Sequence, residues 1–184
     1  MSLILASASP RRKELLGLFR VPFEIRVADI DETMAGDPYH EVARVSRLKA
    51  QAVPRNEADT VIAADTIVVC CGKILGKPHS EEEARQMLRL LSGRDHQVMT
   101  GVTVLRGEKC ETFTEVTDLH FRELSEQEIE DYVATGEPMD KAGAYGIQGG
   151  AALFCERMVG DYYNVMGLPV CRLGQTLKAM GPEE

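Results

Sequence analysis

No stretch of this sequence approaches the roughly 20 consecutive apolar residues of a membrane span, so no membrane partner is expected. There is no surplus of positive charge either. Lys and Arg number 21 against 29 Asp and Glu, a formal net charge of −8. A duplex-binding protein ordinarily shows a basic face, so no nucleic-acid partner is expected, and clustered cations in so acidic a chain read as a focused small-anion site. Cys-x-x-Cys is absent. The five cysteines, Cys70, Cys71, Cys110, Cys155 and Cys171, are odd in number, and no signal peptide is legible ahead of the first strand. This combination predicts free, mostly buried thiols in a reducing cytoplasm. His40, His79, His96 and His120 show no ligand spacing and no His-Glu-x-x-His. No Gly-x-Ser-x-Gly elbow occurs, no Gly-x-Gly-x-x-Gly follows a strand, and no cysteine has an arginine six residues on. Serine-hydrolase, dinucleotide-binding and cysteine-phosphatase chemistry are thereby poorly supported.

What remains is an ordinary globular composition, 44% apolar and 27% charged over 184 residues. That length suits one good-sized domain or two small lobes sharing a sheet. Strand signals fall at Leu3–Ala6, Phe23–Ala28, Thr60–Cys71, His96–Leu105, Thr112–Phe121 and Ala151–Arg157. A hairpin at Cys71-Gly72-Lys73 leads into Ile74-Leu75. Helices are predicted over Pro10–Phe19, Tyr39–Val53, from the capping box Ser80/Glu83 to Leu91, from the capping box Ser125/Glu128 to Gly136, and over Pro169–Met180. Strands and helices alternate, so the class is α/β with a mixed sheet.

The most informative stretch is Leu3–Leu15. A short apolar strand runs into Ser-Ala-Ser-Pro and then a helix that opens with Arg11 and Arg12. Ser9 suits the N-cap and Pro10 the first helical position. Free N–H groups, the positive end of the helix dipole and two guanidiniums together suit a phosphate chain, the alternative being ordinary solvated arginines. Asp65 lies between the apolar runs Val61–Ala64 and Ile67–Val69, with the Thr66 hydroxyl beside it. A carboxylate there is costly unless it is paired, binds metal or works in catalysis; a structurally hydrogen-bonded aspartate is the alternative. Gly72–Pro78 resembles a phosphate loop but is one residue short and has proline in place of the metal-binding hydroxyl. Lys77 in it reads equally as a site cation or a solvated lysine. Asp140–Gly149 packs three glycines around Gln148, whose amide suits a base edge; a plain structural turn is the other reading. Tyr162-Tyr163 reads as core or rim packing.

Taken in order, Ser7-Ala-Ser-Pro-Arg-Arg12, Ile30-Asp-Glu32, Leu48-Lys49-Ala50, Ala64-Asp-Thr66, Gly76-Lys-Pro78, Leu91-Ser-Gly93, Asp140-Lys-Ala-Gly-Ala-Tyr-Gly-Ile-Gln-Gly149 and Gly160–Pro169 resemble the Maf family of nucleotide pyrophosphatases across essentially the whole chain. The resemblance implies one Maf-like domain over 1–184. Its fold would be a mixed twisted β-sheet flanked by helices, with a substrate cleft between two lobes. The Asp140–Gly149 segment resembles the branch acting on dTTP and UTP. By position, Asp65 would be the proton acceptor. Ser7, Arg12, Thr66 and Gln148 would contact substrate, and Glu32, Lys49 and Lys77 would complete the site. Such proteins are cytoplasmic, need a divalent cation and are often homodimers. Glu32 and Asp65, as hard oxygen donors, would hold Mg²⁺ or Mn²⁺. The resulting expectation is a nucleoside triphosphate pyrophosphatase, with Arg11, Arg12, Lys49 and Lys77 holding phosphate charge. The rival reading is a non-catalytic nucleotide-binding regulator of cell division.

Overall fold

The structure, a computed structural model, describes residues 2–27 and 29–181. In chain order the elements are β1 (Leu3–Leu5), α1 (Pro10–Gly17), β2 (Phe23–Ile25), α2 (Pro38–Ala52), β3 (Thr60–Cys70), β4 (Lys73–Leu75), α3 (Glu81–Leu91), β5 (Asp95–Arg106), β6 (Lys109–Phe121), α4 (Glu126–Ala134), β7 (Cys155–Val159), α5 (Tyr162–Met166) and α6 (Val170–Ala179). Short 3₁₀ turns at Glu137–Asp140, Ala142–Ala144 and Gly150–Leu153 connect α4 to β7. The strands hydrogen-bond in the order β2-β1-β3-β5-β6-β7, with β4 antiparallel on β3. β1 runs parallel to both β2 and β3, and β7 antiparallel to β6. This is the mixed α/β sheet the alternation predicts.

The chain forms two compact units. The first comprises Met1–Asp65, Thr100–Glu115 and Gly167–Glu184, and the second Thr66–Met99 and Val116–Met166. Neither is continuous in sequence, because the chain passes from one to the other within β3, β5 and β6 and again just after α5. In the first unit Ile4, Ala6, Ala50, Val53, Val61, Ala63 and Leu105 form one buried cluster, so the inner face of α2 covers the β1 and β3 side chains. In the second, α3 and α4 bury Ala84, Leu88, Leu91, Ile129 and Val133. His96, Phe121, Tyr145 and Phe154 pack edge-to-face there at 4.8–6.0 Å.

Helix starts follow their caps. Ser9 accepts from Arg12 N with Pro10 in the first turn, and Asp37 caps α2 ahead of Pro38. Ser125 and Glu128 make the full reciprocal box at α4. At α3 only half of the predicted box forms. Ser80 accepts from Glu83 N, but the Glu83 carboxylate takes the N–H of His79, one residue earlier.

Several expectations need correction. β2 ends at Ile25, short of the predicted Ala28, which lies outside the described residues. The predicted strand Ala151–Arg157 is instead a 3₁₀ turn followed by β7 from Cys155. Ala152 N and Phe154 N bond back to Gly149 O and Ala151 O, so the ladder with β6 cannot start earlier. Of the two readings of Tyr162 and Tyr163, core packing falls and the rim reading stands: both open α5 and are exposed, their rings edge-to-face at 5.7 Å. All five cysteines are free as expected, but only Cys70 is buried. Among the described residues no helix is long and apolar enough to cross a membrane.

Candidate active site

In the first unit, three elements converge their polar side chains. α1 has no acidic residue in its first turn, whereas α2, α3 and α4 all do. Its dipole is therefore left uncancelled where an anion would sit. Arg12 turns back over this end. Its Nε donates to Gly167 O at 2.8 Å and one terminal nitrogen donates to Ser7 Oγ at 3.1 Å. Ser7 Oγ also accepts from Ser9 N at 3.2 Å, which ties the turn before α1 into the same arrangement. Burial lowers the Arg12 pKa, opposed by the negative charges of Asp65 and Glu32 and assisted by Arg11. The guanidinium stays charged, and its orientation is fixed by two contacts.

Lys49 stands in the last turn of α2, where a cation suits the helix C-terminus. α2 lies very close to β5. A methyl group on Gly101 would overlap the Val42 carbonyl, so only glycine allows this approach. From there Lys49 Nζ reaches Asp65 Oδ1 at 2.7 Å and Glu32 Oε1 at 3.0 Å. The Lys49 and Asp65 side chains are 14% and 11% exposed, while Glu32 is 57% exposed. One ammonium thus joins a buried carboxylate in β3 to a solvent-facing one on the loop after β2. The sequence left a paired or a functional role open for Asp65; the pairing is with Lys49.

The second unit holds the other candidates. Thr66 follows Asp65 in β3 and is half-buried. Lys77 is exposed, just after Gly76, whose carbonyl accepts from Gly143 N at 3.0 Å. Gln148 is exposed on a turn closed by Gly149 N to Gly146 O at 3.0 Å, with Ile147 buried beneath it. The turn is held from below. Tyr132 OH donates to Glu137 Oε1 at 3.0 Å and accepts from Gly146 N at 3.0 Å, while Gly150 N donates to Glu137 Oε2 at 3.1 Å. A methyl on Gly149 would overlap the Glu137 carboxylate. Burial, with the Glu137 charge beside it, holds the Tyr132 phenol protonated and hence a donor. Further in, Tyr145 OH meets His96 Nε2 at 2.9 Å, and burial pushes the His96 imidazole down to about 4.

The structure therefore groups Ser7 with Arg12, and Glu32 with Lys49 and Asp65, on one unit. On the other it ties the Lys77 segment to the glycine-rich loop. Sequence reasoning missed the Gly167 carbonyl, Gly101, Tyr132 and Glu137. None of them carries a local signal in the sequence. Among the described residues no group of three or more His, Cys, Asp or Glu is arranged around a metal position, so Glu32 and Asp65 are a two-carboxylate pair.

The Maf-like protein family model matches residues 2–180. A dTTP/UTP pyrophosphatase of Bacillus cereus strain B4264 is 52% identical over 179 residues, covering 96% of this chain and 94% of that protein. A protein of the same name from Bacillus thuringiensis subsp. konkukian is 51% identical with the same coverage. The solved Ham1 protein of Staphylococcus aureus aligns with 66% of this chain and 72% of its own at 17% identity, with a TM-score of 0.46. By the family match and the near-full-length identity, the chain belongs to the Maf family.

Proposed function

We propose that this chain hydrolyses dTTP and UTP to the nucleoside monophosphate and pyrophosphate. The observation that carries the reading is the buried Asp65 carboxylate held on Lys49 beside the Arg12-bearing end of α1. The curated relatives with that activity in their names support it over nearly the full length. A water oxygen attacks the α-phosphorus, the bond from that phosphorus to the α,β-bridging oxygen breaks, and pyrophosphate departs. Asp65 accepts the proton of the attacking water. The leaving group gains negative charge, which Arg11, Arg12, Lys49 and the α1 N-terminus stabilise. Ser7 offers a hydroxyl donor to phosphate oxygens, and the exposed Gln148 amide is read as the group that meets a base edge.

Glu32 and Asp65 fit a hard divalent cation that keeps waters and completes its shell with phosphate oxygens, as Mg²⁺ or Mn²⁺ does. When bound, that ion would neutralise phosphate charge. Lys49, already on both carboxylates, keeps them together in its absence. Five free thiols suit a reducing compartment, and a cytoplasmic enzyme is our reading. A panel of nucleoside triphosphates with pyrophosphate detection tests the proposal. Pyrophosphate from dTTP and UTP is expected, and binding without any release would favour the regulator instead.

A further inference from the structure

We propose that Glu137 and Tyr132 are positioning residues that set base selectivity by clamping the turn that presents Gln148. This rests on the reading of Gln148 as the base-facing group. Residue 137 is itself fixed at the backbone: its N–H donates to Thr135 Oγ1 at 3.1 Å and its carbonyl accepts from Lys141 Nζ at 2.7 Å. Its carboxylate takes no cation among the described residues. It takes Tyr132 OH and Gly150 N. Tyr132, rooted in α4, accepts Gly146 N with the same hydroxyl. The two side chains thus hold the backbone on either side of Gln148, at 146 and at 150.

Such a clamp has chemical work to do. A uracil or thymine edge offers an acceptor at O4 and a donor at N3–H, and cytosine offers the reverse. A glutamine amide can flip to suit either. Gln148 makes no side-chain hydrogen bond of its own among the described residues, so nothing but its backbone aims it. Selectivity then depends on how firmly that backbone is held. A Cβ at position 149 would meet the Glu137 carboxylate where it now stands, so the turn rests directly on the clamp.

The test measures kcat and KM for UTP and CTP in Glu137→Ala, Glu137→Gln, Tyr132→Phe, Gln148→Ala and the double variant Glu137→Ala/Gln148→Ala. Glu137→Ala is expected to lower the UTP-to-CTP ratio of kcat/KM by ~10-fold, chiefly through KM for UTP. Glu137→Gln, which keeps an acceptor for Gly150 N, should retain most of the ratio. In the Gln148→Ala background Glu137→Ala should lower it no further, as expected for residues acting through one another. If Glu137→Ala does not fold, Tyr132→Phe, which deletes only the hydroxyl, is expected to lower the ratio in the same way. Should Gln148→Ala collapse the ratio while the folded clamp variants keep it, the clamp proposal is overturned and the Gln148 reading stands. If Gln148→Ala itself leaves the ratio unchanged, the Gln148 reading fails and takes the clamp with it.

Discussion

Asp65 is a carboxylate set in a strand of apolar neighbours, and it pairs with the Lys49 ammonium at 2.7 Å. Asp65→Asn keeps shape and volume but cannot take a proton from water. We expect kcat to fall by roughly 10²–10⁴, the range for a lost general base; a folded Asp65→Asn enzyme with normal turnover would remove Asp65 from that role. Arg12 supplies the second test. Its Nε and one terminal nitrogen are spent on Gly167 O and Ser7 Oγ, a fork geometry that an ammonium cannot copy. Arg12→Lys should therefore lose a large part of kcat/KM despite unchanged charge, and a variant equal to wild type would reduce the arginine to a point charge. Asp65 could be singled out from sequence because a charge in an apolar strand is anomalous by itself. Lys49 could not, since a lysine in an amphipathic helix looks solvated until the helix is docked. Glu137 was illegible for the same reason: its partners are the Tyr132 hydroxyl and the Gly150 backbone N–H thirteen residues downstream in a loop, and no side-chain pattern records them.

Elements with their own local chemistry were legible, and those defined by a partner were not. Ser9-Pro10 and Ser125/Glu128 mark α1 and α4 because a cap is a short-range bond. The run Ala151–Phe154 looks like a strand by composition, yet its backbone bonds are taken by the turn it belongs to. α5 has five residues and is held by buried Asn164, whose amide donates to Val98 O and Thr117 Oγ1, contacts no local pattern foretells. The docking of α2 on β5 through Gly101 gives an element-scale prediction. Gly101→Ala must displace the α2 backbone at Val42, so both Tm and kcat should fall as Lys49 is drawn off Asp65; an unchanged Tm would mean the approach is not tight. A second prediction concerns His96, which joins β5 to the glycine-rich loop through Tyr145. Its folded pKa, about 4, lies below the ordinary 6.5, so the unfolded chain binds more protons across that interval. Stability from the neutral imidazole is full above pH 6.5 and is lost as pH falls towards 4, to a limit of roughly 3 kcal/mol. His96→Gln should flatten the fall of Tm between pH 6.5 and 4, and an equally steep fall in that variant would place the titration elsewhere.

At the scale of the whole molecule, a chain of net charge −8 sets Arg12 and Lys49 in one unit beside the buried Asp65 carboxylate, with Arg11 next to Arg12. That concentration of cations against the overall charge is what a polyphosphate substrate requires. Glu32 and Asp65 add the hard donors of a divalent ion. Activity should vanish in excess EDTA and return with Mg²⁺ or Mn²⁺, while undiminished hydrolysis in chelator would exclude a metal role for the pair. The most direct measurement is the product of UTP and dTTP turnover, read as pyrophosphate against orthophosphate, for the wild-type protein and for Asp65→Asn side by side. One pyrophosphate is expected for each nucleotide consumed by the wild type, with UTP and dTTP ahead of CTP and ATP, and a loss of that release in Asp65→Asn. Orthophosphate in place of pyrophosphate, or undiminished pyrophosphate release by folded Asp65→Asn, would contradict it.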